Sequence, residues 1–301
     1  MRRGVAGAAL ALALVAGCKR ENRPPATSNT ATQAELKTYP IRGKIISVDA
    51  KSGSIVLSHE AIPGFMGAMT MTYPLKQPSI ASELHPGDLI TATLEVQKDG
   101  EDYTDPKLDQ IVVVAQARPD YKPAVSYHVP QPGDAVPDFR FRNQYGHTID
   151  LKQYKGKVVL LTFIYTRCPL ADYCPRMNKN FAAIDAKLKG DPTLYRQTHL
   201  LSISFDPAYD TPAVLKTYGE IYNGGDDKEF AHWEFAAPQE KDLPVVEQFF
   251  DVGVTPGESG TFNHSLSTAV IGKDGKVRAW YPSNDWSPTD VLAQMKSAAA
   301  A

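Results

Sequence analysis

Residues 157–175 read KVVLLTFIYTRCPLADYCP, and this stretch decides the fold of the C-terminal half of the chain. Its first nine residues form the continuous apolar run of a strand buried on both faces. Met177, Phe181, Ile184 and Leu188 follow at helical spacing. Cys168 and Cys174 therefore lie between a buried strand and an amphipathic helix. A helix N-terminus there would favour the thiolate, the form that binds a metal or attacks a disulfide. A plain structural disulfide is the alternative, but it would close a loop of only a few residues, where the entropic gain is smallest.

Working outward, residues 200–205 read as a second buried strand. Asp210-Thr211-Pro212 opens a helix running to about Tyr222, with Asp or Thr as cap and Pro in the first turn. Strands are expected at 267–271 and 277–280, joined by the Asp274-Gly275 turn. The alternation of strand and helix predicts an α/β sandwich around a mostly parallel sheet, spanning 131–298. Upstream, residues 117–130 and the two beyond them carry Pro119, Pro123, Pro130 and Pro132, a semi-rigid connector. Before that, short strands at 41–48, 54–58, 89–96 and 110–115, separated by Gly and Pro turns, predict a small all-β barrel or sandwich over 39–116. The fold class is thus two domains, a small all-β domain followed by an α/β domain.

The N-terminus carries a leader. Arg2 and Arg3 precede an uncharged apolar run, 5–16, that is too short to span a bilayer and reads as a signal-peptide h-region. Val15-Ala16-Gly17-Cys18 places small residues immediately before a cysteine, which resembles the lipobox of bacterial lipoproteins. Cleavage after residue 17 would leave Cys18 lipidated, followed by a flexible tether over 18–38. An ordinary cleaved signal with an incidental cysteine is the alternative. With 32 Lys+Arg against 34 Asp+Glu, the chain has no electrostatic footprint for nucleic acid. Three cysteines in 301 residues exclude a disulfide-dense scaffold.

A second chemistry-bearing cluster lies in the barrel. Met66, Met69 and Met71 fall within six positions, and His59 precedes them at the end of a strand. Thioether and imidazole donors favour Cu(I), and Met69 and Met71, two apart on a strand, point to one face. Methionines filling an irregular barrel core are the alternative.

Several motifs resemble known families. Pro137-Asp138-Phe139, Gly156-Lys157, the run 163–169, Cys174-Pro175, Ser204-Phe205-Asp206-Pro207, Asp210-Thr211-Pro212 and Asn263-His264-Ser265 together resemble the Sco/SenC family of thioredoxin-fold copper chaperones. That resemblance implies copper bound by Cys168, Cys174 and His264, and a role in assembling the CuA centre of cytochrome c oxidase. Its usual cysteine spacing is three intervening residues; here five intervene, which bears on metal geometry and redox potential. Asp206 is left out of the ligand set as a turn residue before Pro207. His59-Glu60-Ala61-Ile62-Pro63 and Met69-Thr70-Met71 resemble CusF-type periplasmic copper-binding barrels. This implies Cu(I) held by His59, Met69 and Met71, with Met66 at the position where that family caps the metal with tryptophan.

The reading is a copper metallochaperone of the cell envelope, anchored to a bacterial membrane through Cys18 and facing the periplasm. It would handle both Cu(I) and Cu(II), with the CuA-bearing oxidase subunit or other copper chaperones as partners and no nucleic acid. Transfer between the two sites is expected across the Pro-rich connector, which keeps them at high effective concentration. Two rivals remain: a thiol–disulfide reductase using Cys168 and Cys174 as a redox pair, and a periplasmic copper buffer. Thioredoxin-fold reductases carry a proline facing the cysteines; Leu266 and Ser267 stand there, preceded by His264, which leans toward metal.

Overall fold

The computed structural model describes residues 35–99, 102–118, 121, 127–225, 228–256 and 260–301. The leader, Cys18 and most of the tether lie outside the described residues. Among the described residues, no helix is long and apolar enough to cross a membrane.

The barrel is a five-stranded antiparallel sheet built from β1 (Glu35–Asp49), β2 (Ser54–His59), β3 (Met69–Pro74), β4 (Leu89–Asp99) and β5 (Asp102–Ala115), in the order β3-β2-β1-β4-β5. β1 begins six residues before the strand read at 41, because Glu35 to Thr38 pair with Lys98 to Glu95 of β4 and Tyr39 and Pro40 continue the ladder. The curled sheet approaches closure where Lys76 donates its N–H to Leu108 O at 2.9 Å. Period-two alternation sends Ile41, Ile45, Ile55, Leu57, Tyr73, Ile90, Leu94 and Leu108 inward to one core.

The second domain is a seven-stranded sheet with helices packed on it. Its elements are β6 (Arg140–Asn143), β7 (Thr148–Asp150), β8 (Val158–Ile164), α1 (Cys174–Lys189), α2 (Pro192–Arg196), β9 (Thr198–Ser204), α3 (Pro212–Asn223), β10 (Trp233–Ala237), α4 (Leu243–Phe249), β11 (Val254–Pro256), β12 (Phe262–His264), β13 (Thr268–Ile271), β14 (Val277–Tyr281) and α5 (Pro288–Ala300). The order is β14-β13-β8-β9-β10-β6-β7, and β11 and β12 form a separate hairpin. All seven residues of β8 and all seven of β9 are buried, as strands covered on both faces must be. The sheet is mixed, not mostly parallel. Only β8–β9 and β9–β10 run parallel, while β13, β14, β6 and β7 pair antiparallel. The Asp274-Gly275 turn makes β13–β14 a hairpin, and Asn143 to His147 turn β6 back on β7, so tight turns replace the helical crossovers that parallel pairing needs.

α3 starts where the sequence reading put it, with Thr as the cap of the two offered and Pro212 in the first turn. Its N-cap is Thr211, without a side-chain cap, while the Asp210 carboxyl is taken by Thr166 and Ser204. These bonds tie the residue two before Cys168 to the end of β9 and the start of α3.

Residues 34–301 form one compact unit containing both domains. The barrel is docked on the second domain rather than held only by the connector. Its strand β3 rests against the β11–β12 hairpin, and the Thr72 hydroxyl donates to the buried carboxyl of Asp251. An added Cβ on Gly253 would come within 1.7 Å of Thr70 O, so only glycine permits this approach of the two backbones.

Candidate metal centres

The loop leaving the carboxyl end of β8 carries Cys168, and α1 opens on Cys174 with Pro175 in its first turn. Carboxyl ends of sheet strands are where open α/β folds place ligands. His264 comes from the end of β12. The ligand atoms of Cys168, Cys174 and His264 all lie within 4.8 Å of one another, and Cys174 Sγ is 3.7 Å from His264 Nε2. Both cysteines are free thiols. Cys174 is fully buried and Cys168 half-buried.

The two thiols differ electrostatically. A hydrogen bond from the Cys174 thiol beside it holds Cys168 below the usual thiol range, whereas burial pushes Cys174 up. The sequence reading gave the helix N-terminus as the activating influence, yet the cysteine in the first helical position is the one that burial protonates. Desolvation wins over the dipole there. The site therefore presents one thiolate and one thiol that must lose its proton when a metal binds.

His264 is oriented for ligation. Its Nδ1 lies 2.8 Å from Ser265 O; a carbonyl only accepts, so Nδ1 carries the proton and Nε2 presents its lone pair toward Cys174. Tyr165, Tyr173 and Phe205 surround the ring at centroid distances of 5.6, 5.8 and 4.8 Å. Tyr165 and Tyr173 were not singled out from sequence, although both flank the cysteines in the motif. Burial raises Tyr165 to about 12, so it stays a neutral wall. Asp206 is tied up elsewhere: Arg167 Nη2 donates to it at 2.6 Å and stacks its guanidinium over the Tyr209 ring at 4.1 Å.

In the barrel, His59 and Met69 face each other across β2 and β3, and Met71 follows on the same face. His59 shows the device seen at His264. Its Nδ1 lies 2.7 Å from Glu60 O, which fixes the proton there, and Nε2 is buried without a hydrogen-bond partner. Burial also lowers its pKa, so the ring is neutral at pH 7. A buried imidazole lone pair with no donor costs free energy unless a cation fills the role. Met66 closes the turn 62–66 and receives the Tyr73 hydroxyl on its sulfur at 3.7 Å.

Met66, Met69 and Met71 line a cleft of about 300 Å³ whose opposite wall includes Leu170, Asp172, Tyr173 and His264. The structure thus brings the three methionines of the barrel cluster and His264 of the cysteine cluster to one interdomain cleft. Nothing in either motif had signalled that they meet. The other histidines stay out of it: His199 and His232 are buried and bonded to Glu234 and Asp185, and His128 to Asp134.

Fold and site together define a thioredoxin-like domain with a Cys2His cluster, preceded by a His/Met barrel. The family model described as SCO1/SenC matches residues 128–300, so the chain belongs to the SCO1/SenC family. The model for the copper binding periplasmic protein CusF matches residues 38–106, making the N-terminal domain CusF-like. The chain is 30% identical over 167 residues to the SCO1 protein homolog of Bacillus subtilis (strain 168), covering 54% of this chain and 82% of that one. It is 30% identical over 148 residues to a putative copper-binding protein of Stutzerimonas stutzeri, covering 48% and 67%. Among solved structures, a SCO1/SenC family lipoprotein from Bacillus anthracis str. Ames aligns with a TM-score of 0.49 at 26% identity, over 58% of this chain and 99% of that one.

Proposed function

We propose that this protein is a copper metallochaperone of the bacterial cell envelope. Its Cys168, Cys174 and His264 hold copper for delivery to the CuA centre of cytochrome c oxidase. His59, Met69 and Met71, with Met66 at the position of the missing cap, hold Cu(I) in the barrel. The observation that carries the reading is the convergence of two thiols and one preoriented imidazole within 4.8 Å. That donor set is soft to borderline and suits copper, with zinc the competing metal. Membership in a family of copper-binding proteins involved in cytochrome c oxidase assembly supports the client. A lipid on Cys18 would keep the sites at the membrane where the oxidase sits.

The test is anaerobic titration of the reduced chain with Cu(I) and Cu(II), alongside Cys168→Ser, His264→Ala and a Met69→Ile/Met71→Ile double variant. Two separable sites are expected, one lost with the methionines and the other with Cys168 or His264. No tight copper binding that depends on Cys168 or His264 would reject the reading.

A second reading, thiol–disulfide exchange with a copper-site client, is favoured by the pairing of a lowered thiol with a raised one. That is the arrangement of a nucleophile and its resolving partner. His264→Ala separates the two: a reductase keeps its exchange activity, and a copper carrier loses its metal.

A further inference from the structure

β3 and the turn before it use alternate positions for two purposes. Met69 and Met71 face the cleft, while the intervening residues make the docking contacts with the hairpin that ends in His264. Thr255 Oγ1 donates to Ala68 O at 3.0 Å, Thr70 O meets the bare Cα of Gly253, and the Thr72 hydroxyl reaches Asp251. Gly67 lies against the side chain of Asn263, next to His264; an added Cβ would sit 2.5 Å from its Oδ1. Strand periodicity turns 69 and 71 to the other face from 70 and 72, and there, with Met66, they line the cleft shared with His264 and Tyr173. The same hairpin carries one ligand of the Cys2His cluster and abuts the strand that carries Met69 and Met71.

We propose that Cu(I) crosses directly between the His59/Met69/Met71 cluster and the Cys168/Cys174/His264 cluster through this cleft, with the barrel docked and without release to solvent. The proposal rests on the reading of both clusters as copper sites and replaces a tethered encounter along the connector with a fixed passage. The step is ligand exchange. Thioether and imidazole bonds to copper break as thiolate and imidazole bonds form, copper stays Cu(I), and the proton displaced from the Cys174 thiol goes to water. No electron acceptor is needed.

The experiment uses the full chain. Cu(I) is seated on the barrel while Cys168 and Cys174 are held as a disulfide, excess bathocuproine disulfonate is added as a bulky Cu(I) trap, and a phosphine frees the thiols. The copper–thiolate absorption band is read against the coloured copper–trap complex. In the wild-type chain most copper is expected to appear as the thiolate complex, at a yield independent of protein concentration. Gly253→Val, which forces the backbones apart, should lose at least about tenfold more copper to the trap, as expected when an intramolecular step loses its effective concentration. Thr72→Val removes one docking bond with less risk to folding and should give an intermediate loss. Equal capture in wild type and both variants overturns the passage, as does a thiolate yield that scales with protein concentration. Failure of direct titration to load either cluster instead overturns the copper reading beneath it.

Discussion

His59 and His264 are oriented by the same hydrogen bond: each ring gives its Nδ1 proton to the backbone carbonyl of the residue that follows it, at 2.7 and 2.8 Å. Both rings are buried, one in each domain; the His59 Nε2 has no hydrogen-bond partner, and the His264 Nε2 faces Cys174 Sγ at 3.7 Å. A main-chain carbonyl cannot rotate away, so neither ring has to be reoriented when a cation arrives.

The two histidines should therefore fail separately. His264→Ala is expected to weaken copper at the cysteine cluster by more than the about 10–100-fold typical of losing an outer-sphere partner, and to spare the barrel. His59→Ala should do the reverse. X-ray absorption of each variant loaded with one equivalent of Cu(I) reads the result directly, as sulfur and nitrogen scattering from the surviving site. Loss of both sites in either single variant would contradict it.

Thr72 and Asp251 should couple. Thr72→Val leaves a 2%-exposed carboxyl without its hydroxyl partner, and should cost about 1–3 kcal/mol. A Thr72→Val/Asp251→Leu double variant should recover part of that loss, because the orphaned polar group is gone. Urea unfolding of the four members of the cycle gives the coupling energy. Additive losses would mean that the bond does not hold the domains.

The docked protein should be more stable in mild acid than at alkaline pH. Burial raises Asp251 to about 7 and Glu247 to about 8, above their ordinary carboxylate values. The folded chain then holds protons that the unfolded chain has released. This contribution is fully present below about pH 4 and is lost as pH rises through about 7 and 8, by at most about 1.4 kcal/mol per unit for each group. Unfolding midpoints measured from pH 5 to pH 9 should fall across that window. Asp251→Asn and Glu247→Gln should flatten the profile.

Cys168 should be alkylated well before Cys174. It is half-exposed and its thiol is held below the ordinary range, while Cys174 is fully buried and protonated. Brief iodoacetamide treatment at pH 6 followed by peptide mass mapping should label Cys168 alone. Equal labelling would mean that the loop 165–173 opens freely. Prior loading with Cu(I) should protect both.

The parts of this molecule that were legible in its sequence are the local ones. The run 157–165 could only be a strand covered on both faces, and β8 is that strand. The two thiols and the His59/Met66/Met69/Met71 group are visible as residue types at close spacing, whereas His264 is reached only through the family resemblance of Asn263-His264-Ser265. The hairpin at Asp274-Gly275 is legible in the sequence and is found as β13–β14, but the mostly parallel sheet is not, because the strand–helix alternation of residues 157–222 does not extend to the remaining strands. The docking was illegible for a different reason. Thr72, Asp251, Gly253 and Thr70 are ordinary residues in their own neighbourhoods, and their meaning lies in pairs far apart in the chain. No periodicity records such a contact. The connector's prolines pointed to separation, and it is the packing of bare backbone at Gly253 that brings the domains together.

One consequence concerns β3 itself. It pairs with β2 on one side only, and the flank that would otherwise lie open is covered by the hairpin that carries His264. An unpaired edge is a template for strand addition by another chain. The second domain therefore covers the edge of a methionine-bearing strand against pairing by neighbouring copies while leaving Met69 and Met71 on the cleft. Cutting the chain at the connector would expose that strand, and the freed barrel would be prone to self-association before its metal chemistry could be read.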